Sequence, residues 1–240
     1  MIRKDGRKED ELRPVSMQTD FLRFAEGSCL ITCGNTMVLC AASVEEGAPP
    51  HVAPGCGWVT AEYSMLPRAN RHRSKRDISK LKLSGRSAEI QRLIGRSLRA
   101  SIDMSLLGER TITVDCDVLQ GDGGTRTASV TGGFVAMALA CRKLVENGIL
   151  PKTPIRSFVA GISAGIIDDV PMLDLPYEGD SRAMVDLNCV MNDACEIIEL
   201  QGTGERRAFT AEEQRCLTDL CEKGLRELFE VQKKALGGAL

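Results

Sequence analysis

The chain has 240 residues, 43% hydrophobic and 27% charged, with a formal net charge of −2. That balance suits one large globular domain or two small ones, with enough chain to bury a substantial core. The longest apolar runs fall far short of the roughly 18 residues that span a bilayer, and the charged start Arg3-Lys4-Asp5-Gly6-Arg7 precedes no signal-peptide apolar stretch, so a cytoplasmic protein without membrane partners is expected.

Residues 15–45 read as strands, with Cys29–Cys33 and Thr36–Ala42 flanking Gly34-Asn35, a two-residue hairpin signal. A Pro/Gly-rich loop follows over 45–57, then a strand over Trp58–Tyr63. Residues 66–84 have no periodicity and many charges, which predicts a basic loop with at most a short helix. From Arg68 to Arg99, 11 Lys or Arg stand against Asp77 and Glu89, a segment charge of +9. A basic block inside an acidic chain is an electrostatic footprint for a polyanion, although charge runs are more usually solvated faces.

Arg86 to Ile102 has helical periodicity, with Ile90, Leu93, Ile94 and Leu98 on one face and Arg92, Arg96 and Arg99 solvated on the other. Arg86 projects close to the apolar face, where a guanidinium needs an anion: a buried carboxylate or a bound phosphate. A strand over Thr111–Leu119 then leads into Gly121-Asp122-Gly123-Gly124-Thr125-Arg126-Thr127 and a helix over 126–147. Glycines between strand and helix let a ligand approach the backbone, and the helix start favours an anion. Arg126 adds a fork suited to phosphate oxygens. The spacing is neither the P-loop nor the dinucleotide pattern, so a plain tight turn is the alternative.

Strands are expected over 158–167, 172–175, 183–191 and 196–201. A final helix opens at Thr210 with Glu213, a capping box, and carries an apolar stripe of Leu217, Leu220, Cys221, Leu225 and Leu228. Strands then helix recur in two stretches, 15–100 and 109–236, which points to an α+β chain built as a duplicated β-α-β-α unit. Asp180 and Asp186 would lie about 20 Å apart on an extended chain, but Gly179–Arg182 reads as a turn that could fold them together. Hard oxygen ligands beside a phosphate suit Mg²⁺; a solvent-facing acidic hairpin is the alternative. The 10 cysteines form no C-x-x-C, and only His51 and His72 accompany them, so buried reduced thiols are expected rather than a metal site.

Several of these segments together resemble the ribonuclease PH family: Arg3–Arg7, Thr60-Ala61-Glu62-Tyr63-Ser64-Met65-Leu66-Pro67-Arg68, Ser84-Gly85-Arg86, Leu119–Thr127, Asp180 with Asp186, and Gln201-Gly202-Thr203. The resemblance runs from Arg3 to about residue 236, over a single ribonuclease PH domain spanning 1–240. It implies a fold like the second domain of ribosomal protein S5 and a homohexamer, a ring of three dimers. The implied activity is phosphorolytic 3′→5′ trimming of tRNA precursors, in which inorganic phosphate releases nucleoside 5′-diphosphates. Reversible nucleotide addition and a role in ribosomal RNA processing belong to the same expectation; DNA does not. Arg86, Gly124, Thr125 and Arg126 would hold phosphate. Asp180 and Asp186 would be catalytic acids and ligands of Mg²⁺ or Mn²⁺, and Arg68, Arg71, Arg73 and Arg76 would grip RNA. The sequence departs from the family at Lys4, where Pro is usual, and in the details of Arg71–Arg76. An inactive RNA-binding scaffold would have lost these arginines or acids, and an unrelated small-molecule phosphotransferase leaves the +9 block unexplained.

Overall fold

Alternation of buried and exposed residues builds the first sheet. In the computed structural model, which describes residues 3, 5–76 and 84–238, it contains β1 (Val15–Thr19), β2 (Gly27–Cys33), β3 (Thr36–Glu46), β4 (Trp58–Met65) and β5 (Arg110–Gln120). The order is β1-β2-β3-β5-β4, antiparallel throughout except for the parallel β4–β5 pair. Ile112, Val114, Cys116 and Val118 of β5 point into the core, as period-2 geometry requires. The Gly34-Asn35 turn joins β2 to β3 as expected, with Gly34 at φ +56°.

A second sheet, in the order β7-β6-β8-β9, holds β6 (Val159–Ile167), β7 (Val170–Leu173), β8 (Val185–Asn192) and β9 (Ile197–Thr203). The halves 15–100 and 109–236 do not divide the sheets. β5 comes from the second stretch, yet it fills the place between β3 and β4. All of β6 is buried because it is covered on both sides: Gly161 faces Thr127, and Ile162 faces Gly224 of the last helix.

The helices are α1 (Gly85–Ala100), α2 (Met104–Leu107), α3 (Thr125–Glu146), α4 (Tyr177–Asp180) and α5 (Ala211–Ala235). α3 is long and apolar enough to cross a membrane, but it is the core helix, packed against β2, β3 and β6. Its approach to the sheet requires glycine: a Cβ on Gly27 would lie 2.0 Å from the Ala136 carbonyl oxygen. α5 starts with the expected capping box, Thr210 and Glu213 each bonding the other's backbone N–H, a device worth about 1 kcal/mol. α2 and α4 are single turns that periodicity did not predict.

Two sequence readings change. Arg96 and Arg99 are not simply solvated: Arg96 grips Glu199 at 2.6 Å, while Arg99 donates to the Val59 carbonyl at 2.8 Å and stacks over Trp58. Residues 66–76 form a loop of turns and bends, as expected, while residues 77 to 83, like Lys4, lie outside the described residues. Arg86 is exposed, so its position on α1 imposes no burial penalty. Six of the free cysteines are buried, as expected; desolvation pushes the Cys29 and Cys141 thiols up to about 12.

Candidate active site

The turn from β5 into α3 is the centre of the site. Gly123 and Gly124 lie in the left-handed region, at φ +78° and +66°, and a Cβ on Gly123 would lie 2.5 Å from the Leu175 carbonyl oxygen. Gly124 is the N-cap of α3 and supplies no side-chain cap; the first helical bond runs from Ala128 N–H to Gly124 O at 3.0 Å. The N–H groups of Thr125, Arg126 and Thr127 therefore have no intrahelical acceptor, and the helix dipole adds to their pull on an anion.

A buried ion pair fixes this loop. Arg13 donates to the Asp122 carbonyl at 2.6 Å and grips both carboxylate oxygens of Asp174, at 2.6 and 3.0 Å. Thr36 donates to the Gly123 carbonyl at 2.7 Å and accepts from Asp122 N–H at 2.9 Å. Burial alone would raise the Asp174 carboxyl; the bonds and charge of Arg13, with help from Arg7, outweigh it and hold Asp174 below the usual range. Arg3 and Arg7 also donate to the backbone carbonyls of residues 173 and 174, which explains the placement of arginines in the Arg3–Arg7 segment. The pair Arg13–Asp174 went unread in the sequence. Its signal was a charge at a core position of an apolar run, Leu173-Asp174-Leu175.

Arg126 rises from the first turn of α3 towards Glu89 at 3.5 Å and Gln201 at 3.3 Å. These are long contacts, loose enough for an incoming anion to replace them. Thr125 is buried and its hydroxyl meets the Tyr63 phenol at 2.9 Å. Arg86, in the first turn of α1, makes no hydrogen bond or ion pair among the described residues. The charges of Arg86 and Arg126 both act on Tyr63 and on Asp180, so the two guanidiniums share one cleft with the start of α3.

The turn of α4 brings the carboxylates to the same cleft, in place of the extended spacing. Asp180 ends α4, its backbone carbonyl accepting from Ala183 N–H at 3.1 Å; β8 then begins and carries Asp186. Asp186 is pushed up to about 6 by desolvation and by the charge of Asp180, against the pull of Arg126 and Asn188. Asp180 is accessible, yet desolvation raises it too, opposed by Arg126 and Arg86. The Oδ2 atom of Asp186 accepts from Asn188 at 3.0 Å, while its buried Oδ1 has no hydrogen-bond partner among the described residues. A buried carboxylate oxygen without a partner, beside a second carboxylate, fits a hard divalent cation that would fill its other positions with water and phosphate oxygens.

Arg68, Arg71, Arg73 and Arg76 are all exposed on the loop after β4. The loop is tied to the Gly-rich turn before α3, since Gly121 N–H donates to the Ala69 carbonyl at 2.9 Å, and it is braced by Ser74 N–H on Pro67 O and by Arg68 on Arg71 O. Neutralising Arg68, Arg73 and Arg76 together is expected to weaken tRNA binding and to reduce the slope of log affinity against log salt by about 2–3. A slope unchanged from the parent would remove this loop from the RNA contact.

The family model described as the 3′ exoribonuclease family, domain 1, matches residues 11–143, and the domain 2 model matches 157–216. The chain belongs to the ribonuclease PH family. It is 54% identical over 241 residues to Ribonuclease PH of Bacillus subtilis (strain 168), covering 100% of this chain and 98% of that protein. It is 52% identical to Ribonuclease PH of Moorella thermoacetica, covering 99% and 95%. Among solved structures, an Archaeoglobus fulgidus exosome with RNA bound to the active site matches with a TM-score of 0.82 at 22% identity, covering 95% of this chain and 91% of that one. Rice Rrp46 matches with a TM-score of 0.78 at 18% identity, covering 98% and 100%. These structures share the α+β fold, consistent with the ribosomal protein S5 domain 2-like class. As a ribonuclease PH-family enzyme, the chain is a phosphorolytic 3′→5′ exoribonuclease of tRNA processing.

Proposed function

We propose that this cleft binds orthophosphate and an RNA 3′ end side by side, and that Arg86, Gly124, Thr125 and Arg126 hold the phosphate. The observation that carries the reading is the convergence of an uncapped helix start and two guanidiniums on the face that presents Asp180 and Asp186. Both reactants are anions, so the cations chiefly cancel repulsion and fix orientation. An orthophosphate oxygen attacks the last phosphodiester phosphorus in line. The bond from that phosphorus to the 3′ oxygen of the preceding nucleotide breaks, leaving a 3′ hydroxyl on the RNA and releasing a nucleoside 5′-diphosphate.

Asp186 and Asp180 would hold a divalent cation, Mg²⁺ or Mn²⁺, which when bound supplies positive charge to the phosphate oxygens. Asp180 has two alternative roles: as a carboxylate it completes the cation's ligand set, or as the acid it delivers the proton to the leaving 3′ oxygen. Arg68, Arg71, Arg73 and Arg76 track the RNA backbone from the neighbouring loop. The substrate is 3′-extended tRNA, with ribosomal RNA ends as a further class, acted on in the cytoplasm by a homohexameric ring of three dimers; the family resemblance supports these readings.

One phosphoester linkage replaces another, so the reaction should run both ways. With excess nucleoside diphosphate and no orthophosphate, the protein is expected to lengthen an RNA 3′ end and release orthophosphate; with excess orthophosphate it shortens the same RNA. Shortening without any detectable lengthening under these conditions would contradict the proposed exchange.

A further inference from the structure

Tyr177 opens α4, the turn that ends at Asp180, and its side chain is exposed. It is one of the chain's 2 tyrosines, and it is 56% exposed, whereas the other, Tyr63, is buried and bonded to Thr125. Its phenol makes no hydrogen bond among the described residues, although its backbone is tightly placed. Tyr177 N–H donates to the Asp122 carboxylate at 3.3 Å, and the Gly123 backbone packs so closely that a Cβ there would lie 2.9 Å from the Tyr177 nitrogen. The backbone of Tyr177 is therefore fixed against the Gly-rich turn before α3. Tyr177 and Asp180 are three residues apart in α4, a spacing that puts them on one face of a helical turn. Of the exposed large apolar side chains among the described residues, Phe21, Leu22, Phe24 and Ile149 lie between elements and Ile197 lies on β9, whereas Tyr177 shares α4 with Asp180.

We propose that Tyr177 is a positioning residue whose ring stacks on a base at the RNA 3′ end and so sets the last phosphodiester against the bound phosphate. An exposed aromatic face beside a phosphate site suits a nucleobase, because every base has a π-face and stacking is sequence-tolerant. That tolerance is what an enzyme trimming mixed 3′ extensions needs. The inference rests on the proposed placement of RNA in this cleft and names the contact that grips its base rather than its phosphate.

The test compares Tyr177→Ala, Tyr177→Phe and the parent protein on a 3′-extended tRNA and on the same RNA ending in an abasic nucleotide. Alanine is expected to raise KM for the normal RNA roughly 5- to 100-fold, the range measured for lost base–aromatic stacking. KM for orthophosphate should change less than about twofold, because the backbone that forms the turn is kept. Phenylalanine should behave as the parent, and on the abasic RNA the alanine variant and the parent should have the same KM. The inference is overturned if the alanine variant keeps the parent's RNA KM, if phenylalanine is as impaired as alanine, if the KM for phosphate moves with that for RNA, or if the difference persists on abasic RNA. Failure of the wider reading looks different: the parent itself would release no nucleoside diphosphates.

Discussion

Arg126→Ala is expected to lower kcat/KM for orthophosphate by about 10²–10³-fold, the scale of losing a charged donor aimed at reacting oxygens. RNA affinity, measured with a 3′-extended tRNA in phosphate-free buffer, should stay near the parent's, because the exposed arginines of the 68–76 loop are untouched. The loss should not be total, since the N–H groups at the start of α3 remain. Lysine at this position should rescue only in part: it restores charge but not the planar fork. The variant should fold normally. Among the described residues Arg126 makes only long contacts, at 3.3 and 3.5 Å, and its removal strands no buried partner, because Glu89 is exposed and Gln201 is only half-buried. Full activity of Arg126→Ala at limiting phosphate would mean that the anion sits elsewhere.

The second large effect is expected at Asp186. Asparagine there keeps the side-chain shape but removes the charge, and activity should fall below detection at any Mg²⁺ concentration. The sign of the pH effect follows from the raised carboxyl. With a folded value of about 6, the side chain is protonated below that pH, and a proton then competes with the cation. The Mg²⁺ concentration for half-maximal activity should therefore be higher at pH 5.5 than at pH 7.5 in the parent protein. Stability should move the other way. A carboxyl raised on folding opposes the folded state once pH exceeds its unfolded value of about 3.9, so cation-free Asp186→Asn should melt above the cation-free parent at pH 7.5. Asp174 is the contrast: its folded value is depressed, so its stabilisation is present above the unfolded value and lost as pH falls through the folded one. An active Asp186→Asn protein would remove Asp186 from the cation site, and one that melts below the parent would contradict the raised carboxyl.

Local pattern made most of the elements legible. Period-2 burial gave the strands, the Gly34-Asn35 turn gave the first hairpin, and Thr210 with Glu213 marked the start of α5. The Gly-rich turn before α3 was readable because its chemistry is carried by consecutive residues. Non-local pairing was not legible. β5 joins the first sheet through partners about 50 to 80 residues earlier in the chain. Arg13 and Asp174 meet across 161 positions, and nothing in either segment names the other. Arg86 shows the limit of reading a helical wheel: position near an apolar face did not mean burial, because α1 begins at Gly85 and both Gly85 and Arg86, at its very start, are exposed. Asp180 and Asp186 needed the α4 turn to meet, and the short Pro176–Asp180 segment lacks the length that periodicity requires.

The central claim is that free orthophosphate, held between the start of α3 and the cleft arginines, is the group that attacks RNA. Incubating the protein with a 3′-extended tRNA and isotopically labelled orthophosphate tests it directly. The account predicts that every released nucleotide is a 5′-diphosphate carrying the label in its terminal phosphate, and that release stops when orthophosphate is removed. Unlabelled nucleoside monophosphates, released equally fast without orthophosphate, would contradict it.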